Sequence, residues 1–473
     1  MEKHILSKST FIKGEQCLKA LYLYKKRYFL RDKMPAERIA TFTRGTRVGE
    51  MARMLFPGGI DCGARSPRQY AKAAEKTAKA VSDGVSVIYE ACFLKHNTLV
   101  FLDILVKKDD GWHAYEVKSS LALSETYFKD AALQNYVIRE SGLALKSFNL
   151  VHINADYVME GDIDLHKAFV IQDVTDVVSS GYRDIGEKIK RQIEILDEAH
   201  SPKIEPGLHC RRPYDCDFIG FCWKNIPQKS VFALPSLSFE EKWDIYKKAG
   251  NDFERCVELL GENEIAKKQA TALWQNKTVV DKERLSDFLS AGDADKVFLK
   301  LLTFAPAIPL FENTKPYSHH IYGFIMERFD SGNKLTDSVL YISQNLESPH
   351  SETLTRLLSL LRNDDSIFYY DVAELTGSYD LPAAALNIKD LFSQGILSFP
   401  RLENYGFSAV YRAVTGKAAY FTKIMIDRQS ANVYEKLYRN GFNSGEEFSQ
   451  IETYLNEWAK YFRNLFFTLE KFK

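Results

Sequence analysis

The segment Leu99-Val100-Phe101-Leu102-Asp103-Ile104-Leu105-Val106 decides the fold, together with Trp112-His113-Ala114-Tyr115-Glu116-Val117-Lys118-Ser119-Ser120 that follows it. Two apolar segments separated by a short polar stretch predict two β-strands joined by a hairpin, with Asp110-Gly111 at the turn. Successive side chains of a strand point to opposite faces of the sheet. Glu116 and Lys118 are therefore expected to project from the same face.

An Asp on one strand followed by Glu-X-Lys on the next is typical of metal-dependent phosphodiesterases. Asp103 and Glu116 would bind a hard divalent cation, Mg²⁺ or Mn²⁺, because such ions prefer oxygen ligands. Lys118 would position the attacking water or stabilise charge that develops on the phosphate. The alternative is a structural or surface role, since Glu-X-Lys triplets also occur by chance in exposed strands.

The composition limits the possible partners. The chain has 473 residues, enough for two or three domains, and its 63 basic side chains balance its 63 acidic ones. A nucleic-acid partner would therefore have to bind a local basic patch. Lys25, Lys26, Arg27 and Arg31 lie among aromatic residues and offer such a patch, although the pattern also fits an ordinary solvated helix face.

The sequence carries no sign of secretion or membrane insertion. Its first residues lack the basic-then-apolar layout of a signal peptide, and no apolar run approaches the length of a spanning helix. We therefore expect a cytoplasmic protein without a membrane partner.

The order of predicted elements indicates an α/β protein in three segments. A helix, three strands, a second helix and a further strand occupy residues 1–228, residues 229–292 form a charged helical connector, and residues 293–473 form a second α/β domain. The chain ends in a long helix that begins at the capping sequence Ser444-Gly445-Glu446-Glu447. An apolar stripe on this helix predicts packing on its own domain or on a protein partner, and the stripe comprises Phe448, Ile451, Leu455, Trp458, Phe462, Leu465, Leu469 and Phe472.

Three of the seven cysteines are evenly spaced, with five residues between neighbours, at Cys210, Cys216 and Cys222. They lie among Pro and Gly residues, which indicates a zinc or iron–sulfur site that needs a fourth ligand. The alternative is three unrelated buried cysteines. The candidates for the fourth ligand are Cys17, Cys62, Cys92, Cys256 and His209.

These motifs together resemble the PD-(D/E)XK nuclease superfamily in its RecB-like branch. The match consists of Asp103, the Glu116-Val117-Lys118 triplet, and Gln134 and Tyr136 on the following helix. The cysteines are similar to those of the iron–sulfur nucleases of that branch, which include AddB-type repair nucleases and the exonucleases of CRISPR spacer acquisition. In that group one early and three late cysteines hold a [4Fe–4S] cluster, so the resemblance assigns Cys17 as the fourth ligand.

The resemblance implies further site residues. The carbonyl of Val117 would join the two carboxylates as a metal ligand. Glu50 stands nearest to the position of a histidine that many relatives carry on the early helix. Gln134 and Tyr136 would contact the substrate, although they are closer together here than in the family's Gln-x-x-x-Tyr motif.

The resemblance extends to the C-terminal part of the chain. Gly45–Ala52, Leu55–Gly59 and His152–Asn154 look like a bacterial family that joins this nuclease, with its restriction-endonuclease-like core, to a DnaQ-like exonuclease domain of RNase H-like fold. Lys300 and Leu302 stand where that domain has metal-binding carboxylates, and neither side chain can replace them.

The resemblance therefore implies a second domain that has lost its two-metal chemistry and binds nucleic acid or a protein partner. Asp371, Glu374 and Asp390 could match later motifs of that domain.

Two functions follow from these patterns. The first is a Mg²⁺- or Mn²⁺-dependent nuclease of single- or double-stranded DNA, in repair or anti-phage defence, with a structural iron–sulfur cluster. The second is a catalytically weak or inactive nucleic-acid-binding scaffold of a defence or repair complex. An iron–sulfur redox protein is a weaker third hypothesis, because the sequence has no flavin or nicotinamide fingerprint.

Overall fold

Two mixed sheets, of seven and five strands, organise the chain in the computed structural model of the protein. The structure describes residues 4–180, 183–290, 295–370 and 384–473, without the side chains of residues 40–44 and 384. The chain divides into unit 1, residues 1–224 with 306–318, and unit 2, residues 225–305 with 319–473. The predicted mixed α/β class is confirmed. None of the helices in the described parts of the chain is both long and apolar enough to cross a membrane.

Unit 1 contains the larger sheet, whose strands lie in the order β2-β3-β4-β5-β6-β7, with β1 paired to β4. The strands are β1 (Leu6–Ser7), β2 (Ile60–Asp61), β3 (Val87–Lys95), β4 (Thr98–Lys108), β5 (Gly111–Lys118), β6 (Leu145–Ile153) and β7 (Phe169–Asp173). The helices are α1 (Lys8–Gln16), α2 (Leu18–Lys26), α3 (Ala36–Arg53), α4 (Tyr70–Ser82), α5 (Glu125–Glu140), α6 (Leu165–Ala168), α7 (Thr175–Ser180), α8 (Ile185–Asp197) and α9 (Ile219–Cys222).

The predicted hairpin is confirmed by β4 and β5, which pair antiparallel. Its turn lies one residue earlier than predicted, at Asp109-Asp110, because Lys108 already pairs with Gly111. Gly111 has a φ of 138°, a value that glycine adopts without steric cost, and so it closes the turn instead of occupying its centre.

The two faces of β5 belong to two different apolar cores, as the alternating pattern predicted. Trp112 and Ala114 pack in a core with residues of α5, whereas Tyr115 and Val117 pack in a second core on the other face of the sheet. This second core includes Ala307 and Ile308, which explains why residues 306–318 belong to unit 1 and not to the predicted C-terminal segment.

Unit 2 contains the smaller sheet, in the order β11-β10-β9-β12-β13, and the short pair β14-β8. In the smaller sheet β10 is antiparallel to both neighbours, whereas β12 is parallel to both of its neighbours. Its strands are β8 (Val279–Val280), β9 (Lys296–Phe304), β10 (His320–Phe329), β11 (Leu335–Ile342), β12 (Ser366–Tyr369), β13 (Ala384–Asn387) and β14 (Leu397–Ser398). Its helices are α10 (Phe239–Ala249), α11 (Phe253–Glu258), α12 (Glu264–Gln275), α13 (Lys282–Ser290), α14 (Pro349–Leu360), α15 (Asp390–Ser393), α16 (Phe407–Thr415), α17 (Asp427–Arg439) and α18 (Gly445–Leu469). The predicted connector, residues 229–292, belongs to this unit.

The C-terminal helix α18 packs on its own unit, one of the two predicted outcomes. Most of its apolar stripe is buried, and Phe462 and Phe466 contact Phe298 of β9 with ring centroids 5.2 and 4.7 Å apart. Ser444 caps the helix by accepting from the backbone N–H of Glu447. The reciprocal half of the predicted capping box is missing there, since the Glu447 carboxylate pairs with Lys436.

Helix α1 lies close to α8 at Gly14. A Cβ atom at Gly14 would overlap the side chain of Gln192, which has 1% exposure and donates to the carbonyl of Phe11 at 3.1 Å. A methyl group at this position would therefore displace the buried Gln192 amide from its hydrogen bond. Gly49 in α3 offers a comparison, because a Cβ atom there would meet nothing within 4 Å.

We expect Gly14→Ala and Gly49→Ala to change stability in opposite directions. Gly14→Ala overpacks the α1–α8 contact and should lower the free energy of unfolding by about 1–3 kcal/mol. Gly49→Ala reduces the backbone freedom of the unfolded chain at a helical position and should raise the free energy of unfolding by about 0.5–1 kcal/mol. Urea denaturation of the two variants and wild type measures both effects, and equal stabilisation by the two substitutions would contradict the described packing.

Candidate functional site

Strands β4 and β5 stop pairing at the two predicted metal-binding carboxylates. Their ladder ends at the pair Ile104 and Tyr115, one position before Asp103 and Glu116. The backbone N–H of Val117 donates instead to Asp103 Oδ2 at 2.7 Å. The carboxylate thus satisfies a backbone group that the ladder leaves free, and this bond fixes Asp103 beside the strand that carries Glu116.

The neighbouring strand β3 is irregular at Glu90, the position that falls opposite Asp103 in the ladder. Glu90 has a φ of 49°, a left-handed conformation that is uncommon for residues other than glycine. Its carboxylate accepts from Arg53 Nη2 at 2.6 Å. Strand irregularities and backbone strain cluster at functional sites, where they redirect side chains. Glu90 is an acidic residue near the site that the sequence analysis missed.

Glu116 is buried between two ammonium groups. It has 3% exposure, and its Oε1 accepts from Lys118 Nζ at 2.9 Å and from Lys8 Nζ at 2.8 Å. Its Oε2 is also buried and has no hydrogen-bond partner among the described residues. One carboxylate oxygen is therefore fixed by two donors, while the other is left for a further ligand.

Lys118 continues this network to helix α5. Its Nζ atom donates to Asp130 Oδ2 at 2.5 Å and lies 5.2 Å from the centre of the Tyr127 ring. Asp130 has 8% exposure, and its Oδ1 atom has no hydrogen-bond partner within the described parts of the chain. The site thus contains three carboxylates and two lysines, of which the sequence analysis found Asp103, Glu116 and Lys118.

The two central carboxylates have opposite electrostatic environments. Burial and the neighbouring charge of Glu116 raise the pKa of Asp103, and the nearby Lys8 offsets this only in part. Burial would also raise the pKa of Glu116, but Lys118 and Lys8 outweigh it and hold that pKa well below its usual range. Glu116 is therefore the permanent anion of the pair, and Asp103 is the carboxylate that a bound cation would help to ionise.

The substrate contacts of Gln134 and Tyr136 remain predictions whose positions are now defined. Gln134 shares a helix face with Asp130, four residues earlier, and is fully buried. Tyr136 follows two residues later and faces roughly 200° away around the helix. Its ring centroid lies 6.3 Å from that of His96, and its hydroxyl lies close to Gly186.

Glu50 and the basic patch remain predictions whose positions are now defined. Glu50 is exposed on α3. Lys25, Lys26 and Arg27 are exposed. Arg31 instead donates to the Tyr28 hydroxyl at 2.7 Å and pairs with Asp217 at 3.4 Å, so it has a structural role in this unit.

The four predicted cysteine ligands line one cavity. This cysteine cavity is bordered by Cys17 at the start of α2 and by Cys210, Cys216 and Cys222. All four are free thiols. His209 also borders the cavity, whereas the other three cysteines do not. Of the five candidates for a fourth ligand, Cys17 and His209 thus lie beside the three late cysteines, and the choice of Cys17 stays a prediction.

The cysteine cavity disfavours thiolates in the absence of a cation. Burial raises the pKa of Cys17, although the backbone N–H groups of Ala20 and Lys19 partly offset this. Burial also raises the pKa of Cys216 to about 12 and raises that of Cys222, and the neighbouring cysteines add to both effects. Metal binding at such thiols would release protons.

Asp217 fixes the cysteine segment to the N-terminal helices. It has 7% exposure and pairs with Lys13 of α1 at 2.7 Å and with Arg38 of α3 at 2.7 Å. Burial would raise its pKa, but these cations hold the pKa below its usual value. The residue next to Cys216 therefore connects the cysteine segment to α1.

In unit 2, Lys300 occupies a buried position on β9 and forms an ion pair. Its Nζ atom lies 2.6 Å from Asp427 Oδ2, and the Tyr454 hydroxyl donates to Asp427 Oδ1 at 2.8 Å. Leu302 is fully buried. Asp371 and Glu374 lie outside the described residues, while Asp390 begins α15. The sequence analysis did not identify Asp427.

A scan of the chain against protein-family models and a search of curated proteins found no match. The geometry of the two sites in unit 1 therefore carries the functional argument.

Asp103→Asn should stabilise the metal-free protein increasingly as pH rises. The raised pKa means that folded Asp103 holds its proton more tightly than the unfolded chain, so its ionisation costs stability above the ordinary aspartate pKa. Asparagine keeps an acceptor for the Val117 N–H but cannot ionise.

Urea denaturation in the presence of a chelator, from about pH 5 to about pH 8, measures the stability difference between Asp103→Asn and wild type. An aspartate with a raised pKa titrates in this range. Asp109→Asn, in the exposed hairpin turn, is the matched control for the loss of one carboxylate and should change the free energy of unfolding by no more than about 0.5 kcal/mol. A stability difference between Asp103→Asn and wild type that does not vary with pH would count against the described environment of Asp103.

Proposed function

We propose that unit 1 is a Mg²⁺- or Mn²⁺-dependent deoxyribonuclease that hydrolyses phosphodiester bonds. The observation that carries the proposal is the convergence of Asp103, Glu116 and Lys118 where β4 and β5 separate. The α/β sheet with helices α1 and α5 beside these strands is compatible with the PD-(D/E)XK core that the motifs resemble. The role in DNA repair or anti-phage defence remains part of the proposal.

The chemistry of the residues fits a hard divalent cation. Glu116 Oε2 and Asp130 Oδ1 are buried carboxylate oxygens without a hydrogen-bond partner in the described parts of the chain, which is costly unless another ligand binds them. Asp103 and Glu116 would hold the cation, with the Val117 carbonyl as a further proposed ligand. A bound Mg²⁺ or Mn²⁺ would lower the pKa of a water ligand and polarise the phosphate.

Lys118 would act as a charged donor and not as a general base. Burial would lower its pKa, but Asp130 and Glu116 raise it above the usual lysine value, so the ammonium group keeps its proton. A fixed ammonium group can orient a water molecule or stabilise negative charge on a phosphate oxygen. Asp130 holds Lys118 in place and is therefore a positioning residue of the same site.

We also propose that the cysteine cavity holds a [4Fe–4S] cluster with a structural role. Four free thiols around one cavity fit a cluster in which each iron takes one thiolate. In the described parts of the chain no three His, Cys, Asp or Glu side chains are already grouped around one metal position, so this geometry does not choose between a cluster and a zinc ion. Zinc is therefore the alternative occupant of the cysteine cavity, and metal analysis distinguishes the two.

A binding role is the second candidate function, and unit 2 supports it. The strand order β11-β10-β9-β12-β13 is compatible with the RNase H-like fold suggested by the resemblance. Both oxygens of Asp427 are occupied by Lys300 and Tyr454, which favours a unit without metal chemistry. The apolar stripe of α18 no longer supports a partner surface, because it is largely buried within unit 2.

Cleavage of end-labelled single- and double-stranded DNA in the presence of Mn²⁺ or Mg²⁺ tests the nuclease proposal. We expect wild type to cleave, a chelator or Asp103→Ala to abolish cleavage, and Lys118→Met to lower kcat by about 10²–10³-fold, as for the loss of a donor that stabilises the transition state. Asp109→Ala in the hairpin turn is the matched control and should cleave as wild type does.

Equal cleavage by Asp103→Ala and wild type would remove this site from the mechanism. Binding of DNA by wild type without any cleavage would instead favour the scaffold function.

Anaerobic purification followed by iron, sulfide and zinc analysis tests the cluster. We expect iron and sulfide in wild type and their loss in Cys216→Ser, because the cluster would lack one of its four thiolates. Cys92→Ser is the matched control, since Cys92 is a buried cysteine of unit 1 outside the cysteine cavity, and it should retain iron. Zinc without iron in wild type would overturn the proposal.

A further inference from the structure

Lys8 is placed beside the candidate metal site by its own local structure. Strand β1 pairs in parallel with β4, matching Leu6 with Thr98 and Ser7 with Leu99. Ser7 then caps α1 through a capping box with Thr10. Lys8 is therefore the first residue of a well-capped helix that starts next to the strand carrying Asp103.

The side chain of Lys8 is directed at Glu116. Its Nζ atom lies 2.8 Å from Glu116 Oε1, and its side chain has 28% exposure against 4% for the Glu116 side chain. Lys118 donates to the same oxygen, so the two lysines together define the orientation of the carboxylate. The oxygen that they do not contact, Oε2, is the buried one without a partner.

We propose that Lys8 is a second lysine of the active site and acts as a positioning residue. With Lys118 it fixes Glu116 through Oε1 and leaves Oε2 to the divalent cation. This inference rests on the proposed nuclease function and extends it to a residue that no sequence motif assigned.

The charge balance of the site gives Lys8 a second effect. Asp103, Glu116 and Asp130 carry three negative charges when ionised, and Lys8 and Lys118 carry two positive charges. A divalent cation would leave this group with one net positive charge, which suits an anionic phosphate. Without Lys8 the same group would be neutral after metal binding and would stabilise the charge of the reacting phosphate less well.

The test compares Lys8→Met and Lys8→Arg with wild type at saturating Mn²⁺. We expect Lys8→Met to lower kcat by about 10–100-fold, the usual effect of removing a partner that orients a metal ligand. The KM for DNA and the dependence of binding on salt should change much less than kcat, because Lys8 orients Glu116 and adds charge beside the reacting phosphate without contacting the rest of the DNA backbone. Lys8→Arg keeps the charge and should restore part of kcat.

Lys79→Met is the matched control for the loss of a lysine. Lys79 lies in α4, its side chain is 76% exposed, and it pairs with Asp83, which directly follows the helix. The kcat of this variant should therefore equal that of wild type. Thermal unfolding of each variant shows whether it is folded. If Lys8→Met does not fold, Lys8→Gln replaces it, because the amide keeps a donor but removes the charge.

The outcomes separate this inference from the proposed function. A wild-type kcat for Lys8→Met, with Asp103→Ala inactive, overturns the role of Lys8 and leaves the nuclease intact. A raised KM with a weaker salt dependence and unchanged kcat would make Lys8 a DNA contact and would also overturn the inference.

If wild type does not cleave, the nuclease proposal fails and bound Mn²⁺ provides the readout. An electron paramagnetic resonance spectrum that changes in Lys8→Met but not in Lys79→Met supports the positioning role. An unchanged spectrum, or no Mn²⁺ binding by wild type, overturns it.

Discussion

The buried charge of Glu116 is the constraint on which the organisation of unit 1 depends. A carboxylate with 3% exposure costs several kcal/mol of free energy unless it is paired and hydrogen-bonded, and the removal of one partner leaves that cost uncompensated. Lys8 and Lys118 provide the pairing, so the start of α1 and the end of β5 must meet at this point. The Lys118 side chain is only 13% exposed and pairs with Asp130, which brings α5 to the same place. A chain of ion pairs thus connects the N-terminal helix, the central strand and the helix that follows it.

Helix α1 joins this network to the cysteine cavity. Lys8 is its first residue, and Cys17 directly follows its last. Nine residues of α-helix span only about 13 Å, so the two sites are close in structure although the other cysteines lie far along the sequence. The cysteine segment contacts α1 at two further points: Lys13 pairs with Asp217, and the Gln16 side chain donates to the carbonyl of Tyr214. Whatever fixes the cysteine segment therefore also fixes the helix that presents Lys8 to Glu116.

The parts of the site that could be predicted from sequence are those encoded locally. The strand pair and the shared face of Glu116 and Lys118 follow from a period of two, and a glycine marks the turn. Lys8 and Asp130 were missed because their pairing depends on tertiary contacts; Lys8 and Glu116 are 108 residues apart, and an isolated lysine at a helix start has no distinguishing pattern. Glu90 was missed because a left-handed residue within an apolar strand carries no sequence signal. Tyr136 lies on the predicted helix, but its side chain points away from that of Gln134 because two residues along a helix nearly reverse the direction of a side chain.

The two units show how a lysine beside a carboxylate can have opposite consequences for metal binding. In unit 2, Asp427 has one oxygen bound by Lys300 and the other by Tyr454, so each oxygen already has a donor. In unit 1, both lysines contact the same oxygen of Glu116, and the second oxygen stays without a partner among the described residues. A lysine ammonium group can take the place of a metal ion when both carboxylate oxygens have donors. When one oxygen is left without a donor, the ammonium group only orients the carboxylate. The distribution of donors between the two oxygens, and not the presence of a lysine, therefore makes unit 1 the better candidate for binding a divalent cation.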